Sequence, residues 1–138
     1  MERAATILVA DDEPLVAEMY SVGLERAGYS VLIAGDGREA LRLALSKKPD
    51  LIFLDVRMPA MGGIEVLEQL MAIRATRLIP VVMLSNYDDP VIVKRALDLG
   101  AREYLLKAGT MPADVPLVAG RWLKRVAGEE SRTQEEAR

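Results

Sequence analysis

The chain has 138 residues, of which 51% are hydrophobic and 28% charged, and its net charge is −3. This length is enough for one domain with a buried core, and no apolar run approaches the ~20 residues of a membrane-spanning helix. The sequence has no cysteine and no histidine, which excludes disulfides, thiolate metal sites and imidazole catalysis, and its negative charge argues against a nucleic-acid-binding surface.

Five short apolar runs predict five β-strands. They are rich in Val, Ile and Leu without alternating with polar residues, which is typical of parallel strands buried on both faces. Pro80 fits near the start of the fourth run, where a strand tolerates the loss of a backbone donor. In chain order the runs are 6–10 (TILVA), 30–34 (SVLIA), 51–54 (LIFL), 79–84 (IPVVML) and 103–106 (EYLL).

Amphipathic segments follow the strands and predict five helices. Asp36 is suited to cap the second helix, and Asp88 or Asp89 the fourth. Gly28 and Gly100 are suited to end the first and fourth helices. The predicted helices span 13–27, 38–47, 63–75, 90–99 and about 114–126.

This alternation predicts an α/β fold, a doubly wound five-stranded parallel sheet with five helices. Right-handed crossovers leave few strand orders, and the flavodoxin-like order 2-1-3-4-5 is one of the two common ones. We expect one domain over residues 1–126. Residues 127–138 are polar and charged, and are either a C-terminal tail or the start of a linker.

Polar residues follow four of the predicted strands. Asp11 and Asp12 come after the first strand, Asp55 after the third, Ser85 after the fourth and Lys107 after the fifth. In the order 2-1-3-4-5 these strands are contiguous, so the side chains converge at one edge of the sheet, where such folds bind ligands.

Three carboxylates in one pocket repel each other, by about 4 kcal/mol for a pair ~4 Å apart at an effective dielectric near 20. Lys107 neutralises one charge, and a divalent cation that prefers oxygen ligands, such as Mg²⁺, would neutralise the rest. A carboxylate beside Mg²⁺, a lysine and a hydroxyl is equipped to attack a phosphoryl group. The bland alternative is that Asp11 and Asp12 only end a strand and cap the next helix.

Over about residues 5–126 the chain resembles the response-regulator receiver family. The segments that carry the resemblance are ADDE, LDVRMPAMGG, MLSN and RALDLGAREYLLK, in this order on these elements. The resemblance implies a phosphorylation-dependent switch of a two-component phosphorelay, which catalyses its own phosphorylation and dephosphorylation but is not a turnover enzyme.

The resemblance assigns a role to each matching residue. Asp55 corresponds to the phospho-acceptor. Asp12 corresponds to the main Mg²⁺ carboxylate, with Asp11 also at the metal, partly through water. The backbone carbonyl of Arg57 would be a further metal ligand.

The remaining assignments concern the switch and the lifetime of the phosphoryl group. Ser85 corresponds to the hydroxyl that turns towards the phosphoryl group, and Lys107 to the lysine that pairs with it. Tyr104 corresponds to the aromatic residue that follows the hydroxyl, although it is equally well explained as a half-buried strand residue. Arg57 and Tyr87 flank the phosphoryl group and are bulky enough to hinder an attacking water, so we expect a long-lived phosphoryl state.

The family also implies partners and a location. The phosphoryl donor would be a histidine kinase or a histidine phosphotransfer protein docking near helix 1, where Leu15, Met19 and Val22 lie off the predicted buried stripe. The helix 4–strand 5–helix 5 face would meet an output protein or domain, or a second copy of the chain in a homodimer. We expect a cytoplasmic protein that by itself contacts neither nucleic acid nor membrane.

The sequence departs from the family at one position. Members usually follow the lysine with a proline in a cis peptide, whereas Ala108 follows Lys107 here. A cis bond before a non-proline residue costs ~2.5–4 kcal/mol, so we expect either a strained cis bond or a relaxed loop with Lys107 displaced.

Of three rival functions, the first stays open and the sequence argues against the other two. The departure at Ala108 leaves room for a receiver-like interaction module that is not phosphorylated. An aspartyl-phosphate phosphatase of the haloacid-dehalogenase kind would need a second acid where Arg57 stands. A nucleotide-binding Rossmann-type domain would need a glycine-rich loop after the first strand, and none is present.

Overall fold

The computed structural model describes residues 3–136 and contains five strands, five α-helices and one short 3₁₀ turn. The strands are numbered β1 to β5 and the helices α1 to α5 in chain order. The elements are β1 Thr6–Ala10, α1 Pro14–Arg26, β2 Ser30–Ala34, α2 Gly37–Lys47, β3 Leu51–Leu54, α3 Gly63–Ala72, β4 Val81–Ser85, α4 Pro90–Leu99, β5 Glu103–Leu106, the 3₁₀ turn Lys107–Gly109 and α5 Asp114–Glu136.

The five strands form one parallel sheet in the order β2-β1-β3-β4-β5, which confirms the predicted fold class and strand order. The register brings Ala10 beside Leu54, and Ser85 beside Leu106. The carboxyl ends of β1, β3, β4 and β5 therefore finish at one edge of the sheet. The residues that follow these ends are the ones on which the predicted site depends.

Both faces of the sheet are covered, which explains the unbroken apolar runs in the strands. On one face, residues such as Ile52 and Leu54 pack with the buried sides of α2, α3 and α4. On the other face, Ile7 and Phe53 pack with α1 and α5. Successive residues of β3 thus enter opposite cores, and its four residues are all fully or almost fully buried.

The predicted helix caps are largely confirmed. The Asp36 carboxylate accepts a hydrogen bond from the Glu39 backbone N–H at the start of α2. Asp89, rather than Asp88, caps α4 by accepting from the Val91 N–H. Gly100 follows α4 with a φ of 118°, a left-handed conformation that favours glycine.

Three elements differ from the sequence prediction by two residues or more at one end. β4 begins at Val81 instead of residue 79, because Pro80 has no N–H to donate and enters the ladder only through its carbonyl. α3 ends at Ala72 instead of residue 75, and the buried Thr76 hydroxyl then donates back to the Leu70 carbonyl.

α5 continues to Glu136 instead of ending near residue 126. The polar segment that indicated a tail contains Glu, Gln and Arg and no proline, a composition compatible with continued helix. The domain boundary at 126 itself stays a prediction. Within residues 3–136, no helix is both long and apolar enough to cross a membrane.

Candidate functional site

Three carboxylates meet at the predicted edge of the sheet. Asp11 follows β1 and Asp55 follows β3, and both are buried, with 3% and 7% of their surfaces exposed. Asp12 is exposed. One oxygen from each of the three lies within 4.8 Å of the others, so the site concentrates negative charge as the sequence predicted.

Backbone hydrogen bonds fix the two buried acids in place. The Asp55 N–H donates to the Ala10 carbonyl at 3.0 Å, which aligns the ends of β3 and β1. One Asp55 oxygen accepts from the Val56 N–H at 2.7 Å. One Asp11 oxygen accepts from the Glu13 N–H at 3.0 Å, just before α1 begins, but α1 has no side-chain cap, so the alternative capping role of Asp11 is not observed.

Lys107 lies between the two buried acids. Its ammonium nitrogen is 2.7 Å from an Asp11 oxygen and 3.0 Å from an Asp55 oxygen, and its side chain is only 9% exposed. Burial acts to lower the pKa of Lys107, but the hydrogen bonds to Asp11 and Asp55 outweigh burial and hold this pKa above its ordinary value. The lysine is therefore charged at neutral pH and offsets part of the acidic cluster.

The expectation of a cis Lys107–Ala108 bond or a displaced Lys107 is wrong in both of its forms. No peptide bond in the described part of the chain is cis, and Lys107 nevertheless reaches both carboxylates. The backbone turns through the 3₁₀ turn Lys107–Gly109, closed by the Thr110 N–H donating to the Lys107 carbonyl. This turn places the ammonium in the site without a proline.

Two glycines allow other backbone segments to approach closely around the loop after Asp55. A Cβ on Gly63 would lie 1.9 Å from the Asp55 carbonyl oxygen, so only glycine fits there. Sequence reasoning missed Gly37, where a Cβ would lie 1.7 Å from the Met61 carbonyl oxygen. A single sequence shows the glycine but not the backbone that approaches it from another element.

Ser85, Tyr87 and Tyr104 form a connected group beside the acids. Ser85 is fully buried at the end of β4, and its hydroxyl oxygen accepts from the Tyr87 N–H at 3.1 Å. The Tyr104 hydroxyl donates to the Tyr87 carbonyl at 2.7 Å. Burial raises the pKa of Tyr104; the neighbouring Ser85 hydroxyl opposes this effect and the Asp55 charge adds to it. The structure thus brings both predicted switch residues to the same site.

Arg57 and Tyr87 face each other at the mouth of the site. The guanidinium carbon of Arg57 is 4.3 Å from the centre of the Tyr87 ring, a cation–π contact. Both residues line a cavity of about 220 Å³ together with Asp12, Asp55 and Ser85. The two residues predicted to flank the phosphoryl group therefore contact each other and line the cavity.

Tyr20 of α1 is a site neighbour that sequence reasoning did not single out. Its side chain is 3% exposed. Burial raises the pKa of Tyr20, the Lys107 charge opposes this effect, and the charges of Asp11 and Asp55 add to it. The helical periodicity of α1 could not reveal this role of Tyr20, because a tyrosine in the core and a tyrosine beside a charged site occupy the same face of the helix.

The donor set suits a hard divalent cation. All three acids offer carboxylate oxygens, the ligands that Mg²⁺ prefers. Lys107 pairs with two of the three acids, and the Asp12 carboxylate makes no ion pair or hydrogen bond with the residues described. The residues present therefore fit a magnesium site.

Comparison with known proteins identifies the family. The model of the response regulator receiver domain matches residues 7–113. The chain belongs to this family. The match confirms the resemblance drawn from the motifs, and the family's members are phospho-signalling modules of two-component systems, not enzymes of the ordinary kind.

Curated relatives support the assignment. The alkaline phosphatase synthesis transcriptional regulatory protein PhoP of Bacillus subtilis is 45% identical over 102 residues, which are 73% of this chain and 41% of PhoP. The transcriptional regulatory protein PdtaR of Mycobacterium tuberculosis is 36% identical over 113 residues, which are 81% of this chain and 54% of PdtaR. The chain thus spans about half the length of the curated relatives it matches.

Two solved structures agree as well. The CheY-like receiver domain protein of Methanospirillum hungatei has a TM-score of 0.86 at 26% identity, over 92% of this chain and 99% of that one. The receiver domain of the Francisella response regulator 1452 has a TM-score of 0.80 at 30% identity, over 88% of this chain and 98% of that one.

Proposed function

We propose that the receiver domain is a phosphorylation-dependent switch that accepts a phosphoryl group on Asp55. The observation that carries the proposal is the ion pair between Asp55 and Lys107, 3.0 Å apart and almost buried, beside two further carboxylates. This arrangement supplies a nucleophilic oxygen, a fixed positive charge and oxygen ligands for a cation. The intact Asp12, Asp55 and Lys107 argue against the alternative of an interaction module that is not phosphorylated.

The donor is a histidine kinase or a histidine phosphotransfer protein. An Asp55 carboxylate oxygen attacks the phosphorus of the donor's phosphohistidine, an O–P bond forms, and the P–N bond breaks with its electron pair returning to the imidazole. Lys107 stabilises the negative charge on the transferring oxygens. In dephosphorylation, water attacks the phosphorus, and the Asp55 oxygen leaves as carboxylate.

Asp12, Asp11, Asp55 and the backbone carbonyl of Arg57 would hold Mg²⁺, with Asp12 as the main ligand and Asp11 bound partly through water. Bound there, the cation neutralises charge on the phosphoryl oxygens. Asp12 is exposed and Asp11 is already engaged by Lys107, which favours these two roles.

Phosphorylation adds a charge of about −1.5 to −2 next to Ser85 and Lys107. The Ser85 hydroxyl turns to donate to the phosphoryl oxygens, and Tyr104, which is linked to Ser85 through Tyr87, moves with it. The shift changes the affinity of the domain for its partners. Arg57 and Tyr87 cover the mouth of the cavity and prolong the phosphoryl state by hindering water.

Two exposed surfaces match the proposed partners. Near the site, α1 exposes Leu15, Met19 and Val22 at 81%, 42% and 40%, which fits docking of the phosphoryl donor. Val91 and Leu97 of α4 are exposed at 73% and 45% on the proposed output side. The output is a protein or attached domain, and a homodimer through the same side is a second form. We place the protein in the cytoplasm, where its donor would be found.

The first test is the intact mass after incubation with a small acyl phosphate and Mg²⁺. We expect the native chain to gain one phosphoryl group, and the gain to disappear in Asp55→Asn and in EDTA. Asp98→Asn changes an exposed aspartate of α4 and should behave as native. No gain in the native chain would favour the interaction module, and a decay within seconds would contradict the long-lived state.

A further inference from the structure

Tyr87 contacts three parts of the site at once. Its ring lies under the Arg57 guanidinium at 4.3 Å, its N–H donates to the Ser85 hydroxyl oxygen at 3.1 Å, and its carbonyl accepts from the Tyr104 hydroxyl at 2.7 Å. One residue therefore joins the loop after β3 to the end of β4 and to β5. Among the described contacts, the Ser85 hydroxyl is one of two links between the acceptor side of the cavity and Tyr104.

The second link begins at Arg57. This residue lies two positions after Asp55 and lines the same cavity. The Arg57 side chain is exposed and makes no ion pair with the described residues; its guanidinium lies over the Tyr87 ring. An aromatic ring attracts a cation less strongly than an anion at a similar distance does. New negative charge inside the cavity would therefore pull the guanidinium away from the ring.

We propose that the Arg57–Tyr87 stack carries the phosphorylation signal from Asp55 to Tyr104 by a route that does not need the Ser85 hydroxyl. The inference rests on the proposed function of Asp55. The charge added at Asp55 draws the guanidinium away from the ring, the Tyr87 ring loses its partner, and the Tyr87 carbonyl moves. The hydrogen bond from Tyr104 follows that carbonyl.

Tyrosine resonances make the two routes separable. The full chain is labelled with 3-fluorotyrosine, its four tyrosines are assigned by single Tyr→Phe variants, and ¹⁹F NMR spectra are recorded before and after phosphorylation by an acyl phosphate with Mg²⁺. The phosphorylated fraction of each sample is measured by intact mass. The quantity compared is the shift of the Tyr104 resonance per phosphorylated molecule.

The variants are Ser85→Ala, Arg57→Met and the double variant. We expect Ser85→Ala to keep about half of the native Tyr104 shift, Arg57→Met to lose a comparable share, and the double variant to lose nearly all of it. Arg125→Met is the matched control, since it removes a guanidinium 5.3 Å from the Trp122 ring, another cation–π contact outside the cavity. It should keep the native shift.

Tyr87→Leu breaks the same stack from its other side and keeps the backbone N–H and carbonyl of residue 87. It should reproduce the loss seen in Arg57→Met, and it provides the measurement if Arg57→Met takes up too little phosphoryl group. A native Tyr104 shift in Arg57→Met or in Tyr87→Leu would overturn the proposal, as would complete loss of the shift in phosphorylated Ser85→Ala. Absence of phosphoryl gain in the native chain would instead refute the proposed function, which the mass measurement distinguishes.

Discussion

Replacing Asp12 by asparagine should make the protein more stable without divalent cations and less responsive to Mg²⁺. The substitution keeps the shape of the side chain and removes its charge. The Asp12 carboxylate makes no hydrogen bond or ion pair with the described residues, so the change costs no such contact. What it removes is repulsion within the acidic cluster.

The structure sets the size of the effect. Oxygens of Asp12 and its two neighbouring acids lie within 4.8 Å of one another, and at that separation one pair of unit charges repels by about 0.9 kcal/mol in water and about 3.5 kcal/mol at an effective dielectric of 20. The Lys107 ammonium offsets part of the two repulsions. Because Asp12 is exposed, the gain in unfolding free energy should lie near the lower value, at about 1 kcal/mol.

The assay is urea unfolding of the native chain and Asp12→Asn in EDTA and in rising Mg²⁺, at two ionic strengths. The gain in EDTA should shrink at high salt, because Asp12 is exposed to screening. Glu18→Gln removes an exposed carboxylate of α1 away from the cluster and should change stability by less than about 0.5 kcal/mol. A variant less stable than native in EDTA, or one stabilised equally by Mg²⁺, would refute the reasoning.

Three further predictions concern two packing contacts and one protonation. Gly37→Ala would place a Cβ 1.7 Å from a backbone carbonyl oxygen and should lower the free energy of unfolding, measured in urea, by about 1–3 kcal/mol. The control is Gly35→Ala, whose Cβ would have nothing within 4 Å; an equal loss of stability in both variants would contradict the clash. Thr76→Val removes the donor to the Leu70 carbonyl and should cost about 1–3 kcal/mol in the same assay, so an unchanged midpoint would count against it. Burial raises the pKa of Tyr104 above its ordinary 10.0, so the stability linked to this phenol is complete below pH 10 and is lost as pH rises through the raised value. In an ultraviolet titration of the phenols, Tyr104→Phe should remove a component that ionises at higher pH than an ordinary tyrosine. Loss of a component that ionises at lower pH would disprove the shift.

The sheet and the acidic site could be predicted because their signals are local. Unbroken apolar runs mark strands buried on both faces, and the first polar residue after each run marks where the strand ends. Asp11, Asp55 and Lys107 were placed together by these signals and a common strand order alone. The parallel register pairs Ala10 with Leu54, so the next residues, Asp11 and Asp55, become neighbours.

The features that sequence reasoning missed depend on contacts between distant segments. The turn at Lys107–Gly109 holds the lysine in place without a proline, which follows from the backbone path after β5 and not from residue types. The close approach of Gly37 to the loop after β3 involves two elements far apart in sequence. The Arg57–Tyr87 stack likewise joins two loops whose relative position only the folded chain defines.

The cost of the acidic cluster and the affinity for Mg²⁺ have the same origin. Backbone hydrogen bonds and the buried core hold Asp11 and Asp55 near Asp12, so folding stores the repulsion that a cation then relieves. Binding raises the unfolding free energy by RT ln(1 + [Mg²⁺]/Kd). If Asp12→Asn gains about 0.9 kcal/mol without metal and loses most of its binding, the two stability curves cross when Mg²⁺ reaches about 3 to 4 times the native Kd. An independent titration of Mg²⁺ binding gives that Kd, and a crossing point far from this ratio would show that Asp12 repels and binds through separate effects.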